Sequence, residues 1–392
     1  MNQQTTPLPL EGVRVLEMSH MVMGPSCGLV LADLGAEVIK IEPPGTEERP
    51  GDPTRYLVST GAGFFPACSR NKKSVILDLK TDAGRDAARK LAETADVFIE
   101  NFRPGALQAM GLDYTSLHKL NERLIYCSLK GFLDGPYEHR TALDEVVQML
   151  SGLAYMTGPP GRPLRAGAPV NDMMGGIFGS IAIMGALRQR EVTGRGQHVK
   201  SGLFESAAWL VSTHMLQATV SGVTPVPMSA GKRAWGVYDI FTSSDGIDIF
   251  LGVVTDRQWS IFTDMLNDPL IQQERFATNN ARSLAREELI PLVATLVARH
   301  RFDELELMCE KAGLPFARIN QPVDLYDDVH LKESNGLIDI HLQDGRPASV
   351  PGLPIQFDGK RLGARLDIPQ PGEHTEEILK EIGISHPSVR KS

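Results

Sequence analysis

The chain has 392 residues, with 40 Lys and Arg against 48 Asp and Glu, a formal net charge of −8 and a pI near 5.7. At about 150 residues per domain, this length suggests roughly two domains and a substantial core. The acidic balance argues against a general nucleic-acid binder, while a few local cations can still hold an anionic small ligand.

The four cysteines, Cys27, Cys68, Cys127 and Cys309, show no CxxC or Cys/His spacing, so reduced, buried thiols and no metal site are expected. Residues 1–8 are polar and Pro-containing, without the basic and apolar regions of a secretory leader. No uncharged apolar run reaches the length that crosses a bilayer. A soluble cytoplasmic protein with no membrane partner is expected.

Residues 13–18 form a β-type run, 29–34 are helical up to Gly35, and 37–42 form a second strand. Strand, helix and strand in such close succession make a βαβ unit and predict a parallel sheet. The intervening turn, Gly24-Pro25-Ser26-Cys27-Gly28, is not GxGxxG, which disfavours a nicotinamide cofactor. The basic cluster Arg70-Asn71-Lys72-Lys73 precedes a strand at 74–79, and 83–94 reads as a helix. Residues 96–100 and 124–129 are two more buried strands, running into Asn101-Phe102-Arg103 and Lys130 respectively. Open parallel sheets bind ligands beyond the carboxyl ends of their strands. These loop residues are either ordinary solvated positions or, with cations at two strand ends and the 70–73 cluster nearby in sequence, holders of an anionic ligand.

A helix is expected over 144–153, then a Gly- and Pro-rich loop to Pro169. Asp172 stands where that loop runs into the small and apolar residues of a long helix that reaches about Arg190. Gly175, Gly179 and Ser180 keep the helix slim enough for another backbone to pack close. On position alone, Asp172 reads as the N-cap that accepts the first free N–H groups. A strand over 198–204 and a helix over 207–221 follow. The texture shifts to Pro, Gly and Ser around 223–234, which reads as a domain crossing. A hairpin over 236–242 and 247–253 is signalled by Asp245-Gly246. Helices are expected over 256–266, 283–299 (interrupted by Pro291) and 302–312, short β-like pieces over 336–356, and a last helix over 373–384.

The ordered motifs Leu10-Glu11-Gly12-Val13-Arg14-Val15-Leu16, Leu31-Ala32-Asp33-Leu34-Gly35-Ala36-Glu37-Val38-Ile39-Lys40-Ile41-Glu42, Asn71-Lys72-Lys73-Ser74, Asp96-Val97-Phe98-Ile99-Glu100-Asn101-Phe102-Arg103-Pro104-Gly105, Leu124-Ile125-Tyr126-Cys127-Ser128, Thr193-Gly194-Arg195-Gly196-Gln197-His198-Val199 and Leu203-Phe204-Glu205-Ser206 closely resemble the family III CoA transferases. This is the formyl-CoA and carnitine-CoA transferase family, related to α-methylacyl-CoA racemase. The resemblance implies an α/β fold: a Rossmann-like parallel-sheet domain from 1–222 and 330–392, a smaller α+β domain over 223–329, and two subunits interlocked as rings. It implies acyl-CoA and a free carboxylic acid as substrates, with no tightly bound cofactor. Asp172 matches the family's nucleophile. Its carboxylate attacks the thioester to give a mixed anhydride, the released CoA thiolate then forms an aspartyl-CoA thioester, and the acceptor acid takes over the CoA.

Carried over for CoA are Val22, Met23, the segment from Leu77 to Lys80, Asn101, Phe102, Arg103 and Lys130, with Arg140 added by proximity. Two arginines of formyl-CoA transferases are Pro43 and Ala109 here, so Arg70, Lys72 or Lys73 are expected to supply phosphate contacts. The racemase reading needs a His–Asp pair where this chain has Leu143-Asp144, and leucine is no base. Asp144 is then structural or a neighbour of the adenylate. A silent CoA-binding dimer is the remaining rival, and Asp172 in a matching context argues against it. Lys232 and Arg233 either clamp the far carboxylate of a dicarboxylate such as succinate, malate, mesaconate or citramalate, or form a solvated linker pair. His20 either lines the acyl site or is a structural histidine.

Overall fold

Six strands take up the apolar runs of the first two hundred residues and lie side by side, all parallel: β1 (Arg14–Met18), β2 (Glu37–Glu42), β3 (Lys72–Ile76), β4 (Val97–Glu100), β5 (Ile125–Lys130) and β6 (His198–Gly202). Their order, β3-β2-β1-β4-β5-β6, is that of a doubly wound nucleotide-binding sheet, with its topological switch between β1 and β4. The structure is a computed structural model and describes residues 7–230 and 234–384.

Alternate side chains of the buried strands feed two cores, as the two-residue strand period demands. On one face Leu16, Met18, Ile39, Ile41 and Phe98 pack with Ala87 and Leu91. On the other, Val15, Val38, Val97, Ile99 and Leu129 pack with Cys27, Leu31 and Ile183. The helices of this part are α1 (Met23–Asp33), α2 (Phe64–Ala67), α3 (Asp82–Thr94), α4 (Tyr114–Leu120), α5 (Asp144–Ser151), α6 (Leu153–Thr157), α7 (Val170–Thr193), α8 (Leu203–Leu210) and α9 (Ser212–Ser221).

The chain divides into two compact units, Met1–Ser229 with His330–Ser392, and Ala230–Val329. The second unit holds an antiparallel sheet, β7 (Val237–Thr242), β8 (Asp248–Val253) and β9 (Phe316–Arg318), around a core shared with α10 (Asp256–Leu266), α12 (Arg286–Val297) and α13 (Phe302–Ala312), with the short α11 (Asn279–Leu284) leading into α12. Gly246 takes φ +79° in the β7–β8 turn. After α14 (Val329–Glu333), the hairpin of β10 (Leu337–His341) and β11 (Pro347–Pro351) and the pair β12 (Gln356–Phe357) and β13 (Lys360–Arg361) lead to α15 (Thr375–Glu381). Ile378 and Leu379 return the C-terminal part to the first core.

Four sequence expectations shift. β3 starts two residues early, because Lys72 joins the ladder opposite Val38 and buries its ammonium on Glu17 (2.6 Å) and the Pro25 carbonyl (2.8 Å). The helix expected over 207–221 starts at Leu203 and breaks between α8 and α9, and that over 283–299 breaks at Ala285, while Pro291 is tolerated inside α12. The strand expected over 198–204 ends at Gly202, giving its last residues to α8. Separately, α7 is by length and composition apolar enough to cross a bilayer, although its uncharged run, 173–187, ends at Arg188 as the sequence shows. Its small residues have a different physical reason in this fold, which is the close fit against α1.

Candidate active site

The fit of α7 on α1 fixes where Asp172 stands. A Cβ at Gly176 would overlap Ser26 Oγ and lie 2.6 Å from the Met23 carbonyl; one at Gly179 would lie 2.7 Å from Leu129 Cδ2. The first turns of α7 thus lie on the first turns of α1, which leaves the carboxyl end of β1. Asp172, one turn ahead of Gly175 and Gly176, therefore sits at the carboxyl end of the sheet. The glycines near Asp172 serve this helix–helix approach.

Asp172 is the third residue of α7 rather than its cap. The cap comes from another helix. Asp144, buried at the start of α5, accepts the backbone N–H groups of Asn171 (2.8 Å) and Asp172 (3.0 Å) on one carboxylate oxygen. Its other oxygen accepts from the Gln148 amide, whose own oxygen accepts the Ala166 N–H (2.8 Å). Burial, then the neighbouring Asp144 and Glu145 carboxylates, push the Asp172 carboxyl up to about 7. Asn171 is fully buried, and its side-chain amide has no hydrogen-bond partner.

Two cavities open near the switch point. One of about 410 Å³ brings together His20, Asn101, Phe102, Arg103, Lys130 and Arg140, and Leu143 forms part of its wall. Asp144, the next residue, accepts the Asp172 N–H, which ties the backbone of the proposed nucleophile to the chain that forms that wall. Asp172 itself is not among the lining residues. The other cavity, about 650 Å³ and mostly apolar, takes in Leu77, Lys80, Met110 and Pro43, and shares His20 and Phe102 with the first. Across the switch point the His20 N–H donates to Asn101 Oδ1 (3.1 Å), and the Asn101 amide donates to the His20 carbonyl (2.8 Å). Val22 and Met23 are buried, with Met23 against Gly175.

The basic cluster departs from expectation. Arg70 is 1% exposed and forks onto Asp33, at 3.1 and 2.5 Å. Lys72 is sealed on Glu17, and Lys73 bridges Glu37 (3.0 Å) and Glu377 (2.9 Å). These cations hold the fold together, and neither Arg70 nor Lys72 is open to a phosphate. The cations that line the two cavities are Lys80, Arg103, Lys130 and Arg140, of which Lys130 is paired with Glu100 at 2.7 Å. Lys232 and Arg233 lie outside the described residues. Among the described residues no group of His, Cys, Asp or Glu is placed to hold a metal.

Sequence reasoning missed the capping role of Asp144 and its anchor Gln148. Their Asp-x-x-x-Gln spacing on one helix face was the available signal, and a cap supplied from a distant element leaves no mark in local sequence.

Comparison with known proteins places the chain in a family. Residues 10–375 match CoA-transferase family III. The chain is 33% identical over 385 residues to a succinate–glutarate CoA-transferase of Agrobacterium fabrum, covering 95% of this chain and 96% of that one. It is 31% identical to a succinyl-CoA–D-citramalate CoA-transferase of Chloroflexus aurantiacus, covering 97% and 96% of the two chains. Among solved structures, a CAIB/BAIF family protein from Brucella suis superposes with a TM-score of 0.84 at 34% identity, over 96% of this chain and 100% of the other. The chain belongs to CoA-transferase family III.

Proposed function

We propose that this protein moves CoA from an acyl-CoA donor to a free dicarboxylic acid through an aspartyl-CoA thioester on Asp172. The observation that carries the reading is a half-buried, weakly acidic carboxylate at the head of α7, on a residue whose backbone N–H donates to Asp144, the chain neighbour of Leu143 in the wall of a cavity edged by Arg103, Lys130 and Arg140. The named relatives act between succinyl-CoA or succinate and glutarate or citramalate, which supports a C4–C5 dicarboxylate as acceptor.

The Asp172 carboxylate oxygen attacks the thioester carbonyl, and the carbon–sulfur bond breaks to release CoA thiolate. The thiolate attacks the aspartyl carbonyl of the anhydride and expels the donor acid as a carboxylate. The acceptor carboxylate then attacks the aspartyl-CoA thioester, and the thiolate captures the new acyl group, which regenerates Asp172. Lys80, Arg103, Lys130 and Arg140 replace the sealed Arg70 and Lys72 as candidates for the CoA phosphates. Leu143, in the position where a racemase needs its base, brings an aliphatic side chain to the cavity wall.

A second copy of the chain completes the assembly in this reading. Met173, Ile177 and Ile181 form an exposed apolar stripe along α7, and Trp209, Met215 and Leu216 on α8 and α9 are each 62% exposed. The test is a hydroxylamine trap with succinyl-CoA: an aspartyl hydroxamate at Asp172 is expected. Transfer by Asp172→Ala at the wild-type rate would sink the assignment.

A further inference from the structure

The helix that carries the nucleophile does not keep its own first N–H groups. Asn171 and Asp172 both give theirs to Asp144, although a carboxylate at a helix start is ordinarily steadied by such donors and by the helix dipole. Gln148 holds Asp144 in place while it fastens the Ala166 amide of the preceding loop. One buried clamp therefore ties the end of that loop, the first turn of α7 and a fixed negative charge together beside Asp172.

We infer that Asp144, anchored by Gln148, is the positioning residue of the nucleophile: it takes the N–H groups that would otherwise quiet the Asp172 carboxylate and sets a like charge next to it. The inference rests on Asp172 being the nucleophile. Its chemical sense lies in the exchange of oxygen for sulfur. An ordinary carboxylate near 4 is a far weaker base than the thiolate it must displace, for which free Cys, near 8.5, is the guide. Raising the carboxylate narrows that gap, so the attack and its reversal become more nearly balanced.

The charged neighbours from each packed element fit this assignment. α5 brings Asp144 and Glu145, and Glu145 is paired with Arg165 at 2.7 Å. α1 brings Met23, Ser26 and Cys27, with no carboxylate or cation among them, and β5 brings Leu129 and Cys127 against Gly179. β6 brings Ser201, hydrogen-bonded to the Gly175 carbonyl, with Lys200 committed to Asp134; the Glu205 carboxylate of α8 accepts the Leu133 N–H.

The test is the rate of aspartyl-CoA thioester formation from succinyl-CoA in a single turnover, followed by intact-protein mass spectrometry between pH 5 and 8.5. The wild type should rise along a single limb centred near 7. Asp144→Asn keeps an acceptor for the helix but removes the charge. Its limb should move down by about one pH unit, with a plateau about tenfold lower, and Asp144→Glu should restore the wild-type position. A limb that stays put while the plateau falls would make Asp144 a structural cap and overturn the inference. If Asp144→Asn does not fold, Gln148→Met, which unfastens the carboxylate, is expected to shift the limb in the same direction by less, and an unmoved limb there overturns the inference equally. Failure of the nucleophile assignment reads out separately, as thioester formation in Asp172→Ala.

Discussion

His20 and Asn101 exchange two hydrogen bonds across the gap between β1 and β4, each backbone group of His20 meeting one end of the Asn101 amide. The contact stitches together the loops that leave the two switch-point strands, and both cavities open beside it. Asn101→Ala removes both bonds. It should raise KM for acyl-CoA about tenfold and lower stability by about 1–2 kcal/mol. Steady-state kinetics and thermal melts check this; an unchanged KM would place the cavity mouth outside the CoA path.

Arg70 and Arg103 should separate stability from binding. Arg70→Met strands the buried Asp33 carboxylate and should cost about 3–5 kcal/mol, while the folded fraction keeps its KM. Arg103→Ala should leave the melt unchanged and raise KM for acyl-CoA about tenfold, less so at high salt. Denaturant unfolding and salt-dependent kinetics on both variants supply the comparison.

The same helix offers a paired test of close packing. Gly176→Ala drives a methyl group into Ser26 and Met23, with an expected loss of about 1–3 kcal/mol from overpacking and a fall in kcat larger than the change in KM, since Asp172 rides on the displaced turn. At Gly185 a Cβ meets nothing within 4 Å, so Gly185→Ala should instead gain about 0.5–1 kcal/mol of helix propensity. Equal effects at the two positions would contradict the close approach of α7 to α1.

The weakened acidity of Asp172 also predicts how stability follows pH. In the folded chain the group holds its proton up to about 7, against 3.8 in the unfolded chain, so between those values the folded state binds more protons. Stability therefore falls as pH rises through that window, by at most about 4 kcal/mol, and the loss persists above it. Asp172→Asn should melt higher than wild type at pH 8, with the difference gone at pH 3.5. Parallel melts across that range decide the matter, and coincident curves would show a normally acidic carboxylate.

Much of this was readable from residue order. The βαβ pattern announced the parallel sheet, and the runs 37–42, 256–266 and 302–312 gave their elements to the residue. The slim face of α7 was plain from Gly175, Gly179 and Ser180. The basic cluster misled because sequence shows a charge but not its partner: Asp33 is 37 residues from Arg70, and Glu17 is 55 from Lys72. The clamp on Asp172 stayed hidden for the same reason, since Asp144 is 28 residues away. Chain neighbours set propensity, whereas pairing belongs to the fold.

The sealing of Lys72 on Glu17, and of Lys40 on Asp52 at 3.0 Å, bears on a hazard special to proteins that handle activated thioesters. A free amine that meets bound substrate takes the acyl group as a permanent amide and releases the thiol. Lys40 and Lys72 are buried on carboxylates and out of reach, so this self-inflicted damage should concentrate on Lys80, exposed at the rim of the apolar cavity. Prolonged incubation with succinyl-CoA and peptide mapping should find that lysine modified first, a chemical wear mark that traces the route of the thioester.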